Sequence, residues 1–226
     1  MISVIIPTLN EEKNIGRCIE RVRAEDCECE IIVADGGSTD LTVDVAGRHE
    51  GVKIVESGRG RGTQMNRGAA AAAGDILLFL HADTTLEQGW SNAVLSSVGR
   101  GRAVAGAFTF RIDNPGRPYR IIELWVSLRC AVFMLPYGDQ AIFVKADIFR
   151  RLGGYREIPL MEDVDIIDRM KKMGRIVILP EKASTHARRW AREGWVRASL
   201  MNNLIMIMYR AGVHPQRLAK MYYRER

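Results

Sequence analysis

The sequence is poor in the features that mark unusual chains. Only four cysteines occur in 226 residues, at Cys18, Cys27, Cys29 and Cys130. None forms a C-x-x-C pair, and Cys27 and Cys29 stand too close for a zinc knuckle, so neither a disulfide framework nor a structural zinc site is expected. The thiols read as reduced, small buried hydrophobes. No basic segment precedes the first apolar run, so no secretory leader is expected and the chain reads as cytoplasmic. No apolar run reaches the ~20 residues of a membrane span, and the longest, Ile121–Pro136, is interrupted by Arg129. That argues against an integral membrane protein and leaves surface contact open. There is no low-complexity linker and no internal repeat. Apolar residues make up 47% and charged residues 27%, the balance of a folded globular chain rather than a disordered one.

Negative charge is scarce at one end. The formal charge is +6 overall, yet His186–Arg226 carries nine Lys/Arg against two Glu, a local +7, which leaves the rest at −1. Such asymmetry points to an anionic partner at that end. Nucleic acid is a poor candidate, because no nucleic-acid-binding module accompanies the charge.

What is present is a β-α alternation. Ser3–Ile6 is a β-branched run closed by Pro7. Asn10 is a good N-cap for a helix over Glu11–Ala24, with Ile15, Cys18, Ile19 and Val22 at helical spacing. Further strands are expected at Glu30–Ala34, Val52–Glu56 and Asp75–Leu80, with helices at Leu41–Arg48 and Thr63–Ala73 between them. The strands are continuously apolar, the mark of burial on both faces. The expected fold is therefore α/β, a mostly parallel, Rossmann-like central sheet flanked by helices. In the second half, helices are expected at Glu87–Val98, Pro118–Phe133, Asp147–Leu152 and Asp163–Met173. Strands are expected at Ala103–Arg111, Ala141–Lys145 and Arg175–Leu179, the last closed by Pro180. Beyond His186 the chain reads as a helical appendage broken at Gly212–Pro215. The expected division is a domain over 1–190 and a basic amphipathic appendage over 191–226.

Ligands of such sheets bind beyond the carboxyl ends of the strands, and residues with chemical potential gather there. His81-Ala82-Asp83 can turn two metal ligands to one side of a strand end, or else form a capped turn. Glu162-Asp163 opens a helix, as a cap or as a general base for an acceptor hydroxyl. Asp35-Gly36-Gly37-Ser38-Thr39-Asp40 can meet a nucleotide, with Asp35 accepting from base or ribose and the glycines allowing close approach. The Gly58–Gly62 loop carries Arg59 and Arg61, which can contact phosphate, or else it is a mobile surface loop.

Together these blocks carry a resemblance. Ser3-Val4-Ile5-Ile6-Pro7-Thr8-Leu9-Asn10-Glu11, the Asp35 block, Asn66-Arg67-Gly68, His81-Ala82-Asp83, and Gly153-Gly154-Tyr155 with Glu162-Asp163-Val164-Asp165, in that order, resemble the family-2 nucleotide-diphosphosugar glycosyltransferases. The resemblance spans roughly residues 2–190 and implies the GT-A fold and an enzyme of the hexosyltransferase type. It implies that Pro7, Thr8, Asn10, Glu11, Asp35, Gly36 and Ala82 line the nucleotide pocket, with Arg61, Gln64 and Arg67 near base and phosphate. Asp83 matches the last Asp of the D-x-D metal motif, and Asp163 the base of inverting members, with Glu162 beside it. His81 stands where many members carry Asp. Imidazole suits transition metals, so Mn²⁺ is favoured over Mg²⁺. His186-Ala187-Arg188-Arg189-Trp190 resembles a Q-x-x-R-W element with His in place of Gln, which makes His186 a third candidate ligand and Arg189 and Trp190 candidates for the acceptor side. Gly138, Asp139 and Gln140 are expected to border the sugar and acceptor pocket.

The expected reaction moves a sugar from a nucleoside diphosphate sugar to an acceptor hydroxyl, metal-assisted and with inversion. The alternative is a catalytically silent nucleotide-sugar-binding or scaffold protein. The acceptor is not legible. The mixed apolar and basic end suggests a lipid-linked or small apolar acceptor and peripheral contact with the inner face of a membrane, or else a helical bundle packing on the sheet or a homodimer interface.

Overall fold

The computed structural model describes residues 1–99, 101, 103–187, 190 and 194–224. Eight strands form one sheet: β1 (Ile2–Thr8), β2 (Cys29–Asp35), β3 (Val52–Glu56), β4 (Ile76–Phe79), β5 (Thr84–Leu86), β6 (Ala105–Ile112), β7 (Ile142–Lys145) and β8 (Ile176–Thr185). Their order is β3-β2-β1-β4-β7-β6-β8-β5. The pairs β1–β2, β1–β4, β2–β3 and β6–β8 are parallel, and β7 and β5 run against their neighbours. The helices are α1 (Ile15–Arg23), α2 (Thr42–Gly47), α3 (Arg61–Ala70), α4 (Trp90–Gly99), α5 (Arg117–Phe133), α6 (Ala146–Arg151), α7 (Glu162–Lys171), α8 (Trp195–Arg210) and α9 (Pro215–Arg224). A short 3-10 turn spans Gly138–Gln140.

The alternation of β1 explains the layers. Val4 and Ile6 face one core with α1 and α4, which contribute Ile15, Ile19, Trp90 and Val94. Ile5 faces the other with α3, α6 and α7, through Met65, Phe149, Ile166 and Ile167. Both faces are covered, so strands that read as unbroken apolar runs need no polar side. Each such side chain removed from water contributes about 1.5–3 kcal/mol before the entropy of ordering.

The structure departs from expectation where a tertiary partner overrides a local signal. The strand β1 runs through Pro7, which pairs opposite Ala34, and ends at Thr8. Asn10 does not cap α1, which begins five residues later. It takes φ of 57° and its Oδ1 accepts the Thr39 amide at 2.9 Å, tying two loops together. Pro180 does not end β8. The register passes from Phe108↔Leu179 to Thr109↔Lys182, so Pro180 and Glu181 sit in a bulge where a missing N–H costs no ladder bond. The three-residue β5 was not expected, and it pairs with the extended end of β8. Helix α4 starts at Trp90, behind Gly89 at φ 87°.

The C-terminal helices pack on the rest of the chain. Ile205, Leu218 and Ala219 meet Leu160 in one apolar cluster, and Ala198 joins Phe110, Val126 and Trp190 in another.

Close approach between β6 and its neighbours depends on Gly106. A Cβ there would lie 2.4 Å from the Phe143 ring and 2.6 Å from the Val177 carbonyl oxygen. We expect Gly106→Ala to lower unfolding stability by about 1–3 kcal/mol through overpacking. Gly99→Ala, in open space, should stay within about 0.5 kcal/mol of the parent. Urea unfolding compares the two, and equal stabilities would refute the packing argument.

Candidate active site

The cavity at the carboxyl ends of the parallel strands has a volume of about 840 Å³. Its first rim is two loops stitched side by side. The Gly36 amide donates to the Thr8 carbonyl, Asn10 N–H to Ser38 Oγ, Glu11 N–H to Thr42 Oγ1, and Glu12 N–H to an Asp40 oxygen. Asp35 is spent on this construction. Its carboxylate accepts the Thr8 and Ser38 hydroxyls and the Gly37 and Ser38 amides. Residues 10–14 and Asp40 then face the cavity.

The second wall is rich in titratable side chains. Helix α7 begins behind Met161, whose φ of 70° is costly for a residue with a side chain and turns the chain sharply into Glu162-Asp163. Asp163 is held at both oxygens. Oδ2 accepts the Gly138 amide at 2.9 Å and Oδ1 the Val164 amide at 2.8 Å. Each oxygen keeps a further lone pair, and the side chain lines the cavity. Gly138 also explains its own identity: a Cβ there would lie 3.2 Å from His81 Nε2 and 3.6 Å from Asp163 Oδ2. His81 thus stands across Gly138 from Asp163. Burial, followed by the Arg61 guanidinium, holds its imidazole below the ordinary value, against the pull of Asp83 and Asp163. The ring is therefore neutral near pH 7.

Glu162 is buried, with its side chain 3% exposed, and one oxygen meets Arg61 Nε at 2.7 Å. The other oxygen has no hydrogen-bond partner among the described residues. Burial pushes its carboxyl up and outweighs the pull of Arg61, while the same pair holds Arg61 firmly charged. Arg61 faces the cavity from α3.

A second set of contacts locks α3 to the turn ahead of α7. Asn66 Nδ2 donates to the Tyr155 carbonyl and its Oδ1 accepts the Tyr155 amide, both at 2.8 Å. Arg169 clamps the same turn, donating to the Leu152 and Gly154 carbonyls and to Asp165. The Tyr155 ring packs edge-on to Phe79 with centroids 5.0 Å apart.

The sequence candidates divide by position. Asn10, Glu11, Arg61, His81, Asp83, Asp139, Asp163, His186 and Trp190 line the one cavity. Asp83 and His186 are the next residues beyond the terminal β5–β8 pair, Thr84↔Thr185, so the ladder sets a carboxylate and an imidazole side by side. The other described candidates do not line it. Pro7 and Thr8 are buried in β1, and Ala82 and Gly36 are buried beneath the loops. The Gln64 amide donates to the Thr8 and Ala34 carbonyls, and Arg67 Nε to the Glu56 carbonyl. Gln140 is buried, bridging Phe108, Arg129 and the Tyr137 amide. Arg189 lies outside the described residues. Sequence reasoning missed Tyr137, Leu160, Met161, Asn202, Tyr222 and Tyr223 in the cavity wall. No local pattern announces them, since three come from the C-terminal helices and arrive only through packing. Among the described residues no three His, Cys, Asp or Glu side chains are placed to hold a metal ion by themselves.

The description "Glycosyl transferase family 2" matches residues 3–153. A PGL/p-HBAD biosynthesis glycosyltransferase of Mycobacterium bovis is 38% identical over 93 residues, 38% of this chain and 36% of that protein. The probable glycosyltransferase YdaM of Bacillus subtilis is 25% identical over 197 residues, 76% of this chain and 47% of that one. The chain thus spans less than half the length of these relatives. Among solved structures, S. aureus TarS residues 1–349 superpose with a TM-score of 0.67 at 18% identity, over 82% of this chain and 60% of that one. The Pyrobaculum calidifontis mannosyltransferase PcManGT, solved with GDP-Man and Mn²⁺, gives 0.63 at 21% identity, over 81% and 56%. These neighbours carry the GT-A fold, as the curled, helix-flanked sheet here does. With the match covering most of its length, the chain belongs to glycosyl transferase family 2.

Proposed function

We propose that this protein transfers a sugar from a nucleoside diphosphate sugar to an acceptor hydroxyl with inversion at the anomeric carbon. The observation that carries this is Asp163, a carboxylate fixed at both oxygens by backbone amides and open to a cavity of about 840 Å³. It is supported by family membership and by structural neighbours solved with UDP-GlcNAc or GDP-Man.

In this reading the stitched loop rim, with Asn10 and Glu11, receives the nucleoside. Arg61, kept charged and aimed by Glu162, neutralises part of the diphosphate. Asp163 removes the proton of the acceptor hydroxyl as that oxygen attacks the anomeric carbon from the face opposite the leaving group. Gly138 leaves room for the acceptor oxygen between Asp163 and the neutral His81. Asp139, Tyr137 and Trp190 border the sugar and acceptor side. The donor set fits a divalent cation that arrives with a diphosphate: Asp83 and His186 would hold it, with His81 nearby, and phosphate oxygens and water would complete its shell. The imidazole favours Mn²⁺ over Mg²⁺. Such a cation stabilises the charge that develops on the departing nucleoside diphosphate.

Two measurements test this. Asp163→Asn should lower release of nucleoside diphosphate from the donor by about 10²–10⁴ fold while leaving donor affinity within about 3-fold. Unchanged turnover would overturn the base assignment. Calorimetric titration with UDP, GDP, TDP and CMP, each with Mn²⁺, Mg²⁺ or EDTA, should show metal-dependent binding of one nucleotide. Asp83→Ala and His186→Ala should reduce that affinity to the EDTA level. Absence of nucleotide binding under every condition would reject the transferase reading.

A further inference from the structure

Helix α5 is apolar on two faces. Ile122, Val126 and Cys130 are buried against Phe110, Trp190 and Ala198. The opposite stripe, Ile121, Leu124, Trp125, Leu128 and Val132, is 52–71% exposed. An amphipathic surface helix should carry polar residues there. Helix α8 repeats the pattern. Ala198 and Ile205 are buried, whereas Val196, Leu200, Leu204 and Ile207 are 45–65% exposed. The two helices adjoin, and both turn buried side chains into the cluster around Phe110 and Trp190, with their uncovered stripes on the faces turned away from it. Isolated exposed apolar residues are ordinary, but two adjoining helical stripes of them are not.

The charges carried by these helices are mostly cationic, although Arg210 of α8 is paired with Asp168 of α7 at 2.6 Å. The segment 195–224, which contains α8 and α9, holds five Lys/Arg and no Asp or Glu. The one acid of α5, Glu123, is turned inward with its side chain 12% exposed. It pairs with Arg120 and Arg111 and accepts the Ile112 amide at 2.8 Å. Arg117 stands exposed at the start of the helix. No helix among the described residues is long and apolar enough to cross a membrane. The pattern is that of helices lying in an interface, with apolar side chains immersed and cations at the headgroups.

We propose that the outward faces of α5 and α8 dock this protein on an anionic phospholipid surface, with Trp125 inserted at the headgroup level. A second copy of the chain is a poorer occupant, because an isologous contact would oppose two copies of a segment that carries five Lys/Arg and no Asp or Glu. The proposal is independent of the sugar-transfer reading. It leaves open which molecule enters the cavity, but α8 joins the two regions: Asn202 of that helix lines the cavity.

The test is flotation of the full chain with vesicles of phosphatidylcholine alone or with phosphatidylglycerol added, at 50 mM and 500 mM salt. Binding should require phosphatidylglycerol and weaken at least 10-fold at the higher salt, as screening dictates. The double variant Leu124→Ser/Trp125→Ser should lose binding at least 10-fold with an unchanged circular dichroism spectrum. If that variant does not fold, vesicles of brominated phosphatidylglycerol supply a second readout. They should quench the fluorescence of the parent protein, and Trp125→Phe should remove most of that quenching. Absence of flotation at 50 mM salt, equal binding by parent and folded variant, or quenching unaffected by Trp125→Phe would each overturn the proposal. Sedimentation equilibrium showing a dimer that the double variant abolishes, without vesicle binding, would assign the surface to a second copy instead.

Discussion

The reciprocal hydrogen bonds between the Asn66 amide and the Tyr155 backbone are the contact on which the site depends. They join α3, which belongs to the regular β-α half, to the turn that precedes α7 in the less regular half. A Cβ on Gly154 would come within 2.5 Å of Asn66 Oδ1, so the glycine and the asparagine fit each other. With that junction made, Arg61 at the head of α3 meets Glu162 at the head of α7. Neither residue reaches the other through local structure. The Arg169 clamp on the same turn holds the second half of the joint, and buried charge-assisted bonds of this kind are strong where they are fully paired.

Buried charge in the site follows from this joint. Glu162 lies in a place where a carboxylate is costly, and Arg61 offsets that cost only at one oxygen. The raised carboxyl and the firmly held guanidinium are two sides of a single contact. Its effect is to keep a cation pointed into the cavity although that cation is half in solvent. His81 feels the same cation and stays neutral, so its ring can accept or donate a hydrogen bond without adding charge beside Asp163.

Much of the architecture was legible because local signals and tertiary packing agree. The strand Val52–Glu56 and the break between α8 and α9 stand where expected, each bounded by turn residues. The blocks of the site were legible by type, and nine of the candidates do share one cavity. What was not legible depends on partners distant in sequence. Asn10 carries a strong cap signal, but the second loop offers its side chain a better set of donors. Asp35 reads as an open carboxylate, while four donors from its own loop and β1 occupy it. The strand β5 exists only because β8 continues past Pro180, and a bulge is invisible without the register. Tyr222 and Tyr223 reach the cavity from the far end of the chain, carried there by packing of Leu218 and Ala219 on Leu160.

The stitched loops of the first rim bear on the thermodynamics of capture. Their amides and side chains already bond to one another, so this rim has little conformational freedom left to lose when a ligand settles on it. The entropy change on that side is set by released water rather than by chain ordering. Asn202, Tyr222 and Tyr223 line the same cavity from α8 and α9, so a ligand that settles on the stitched rim also meets side chains brought from a distant part of the sequence.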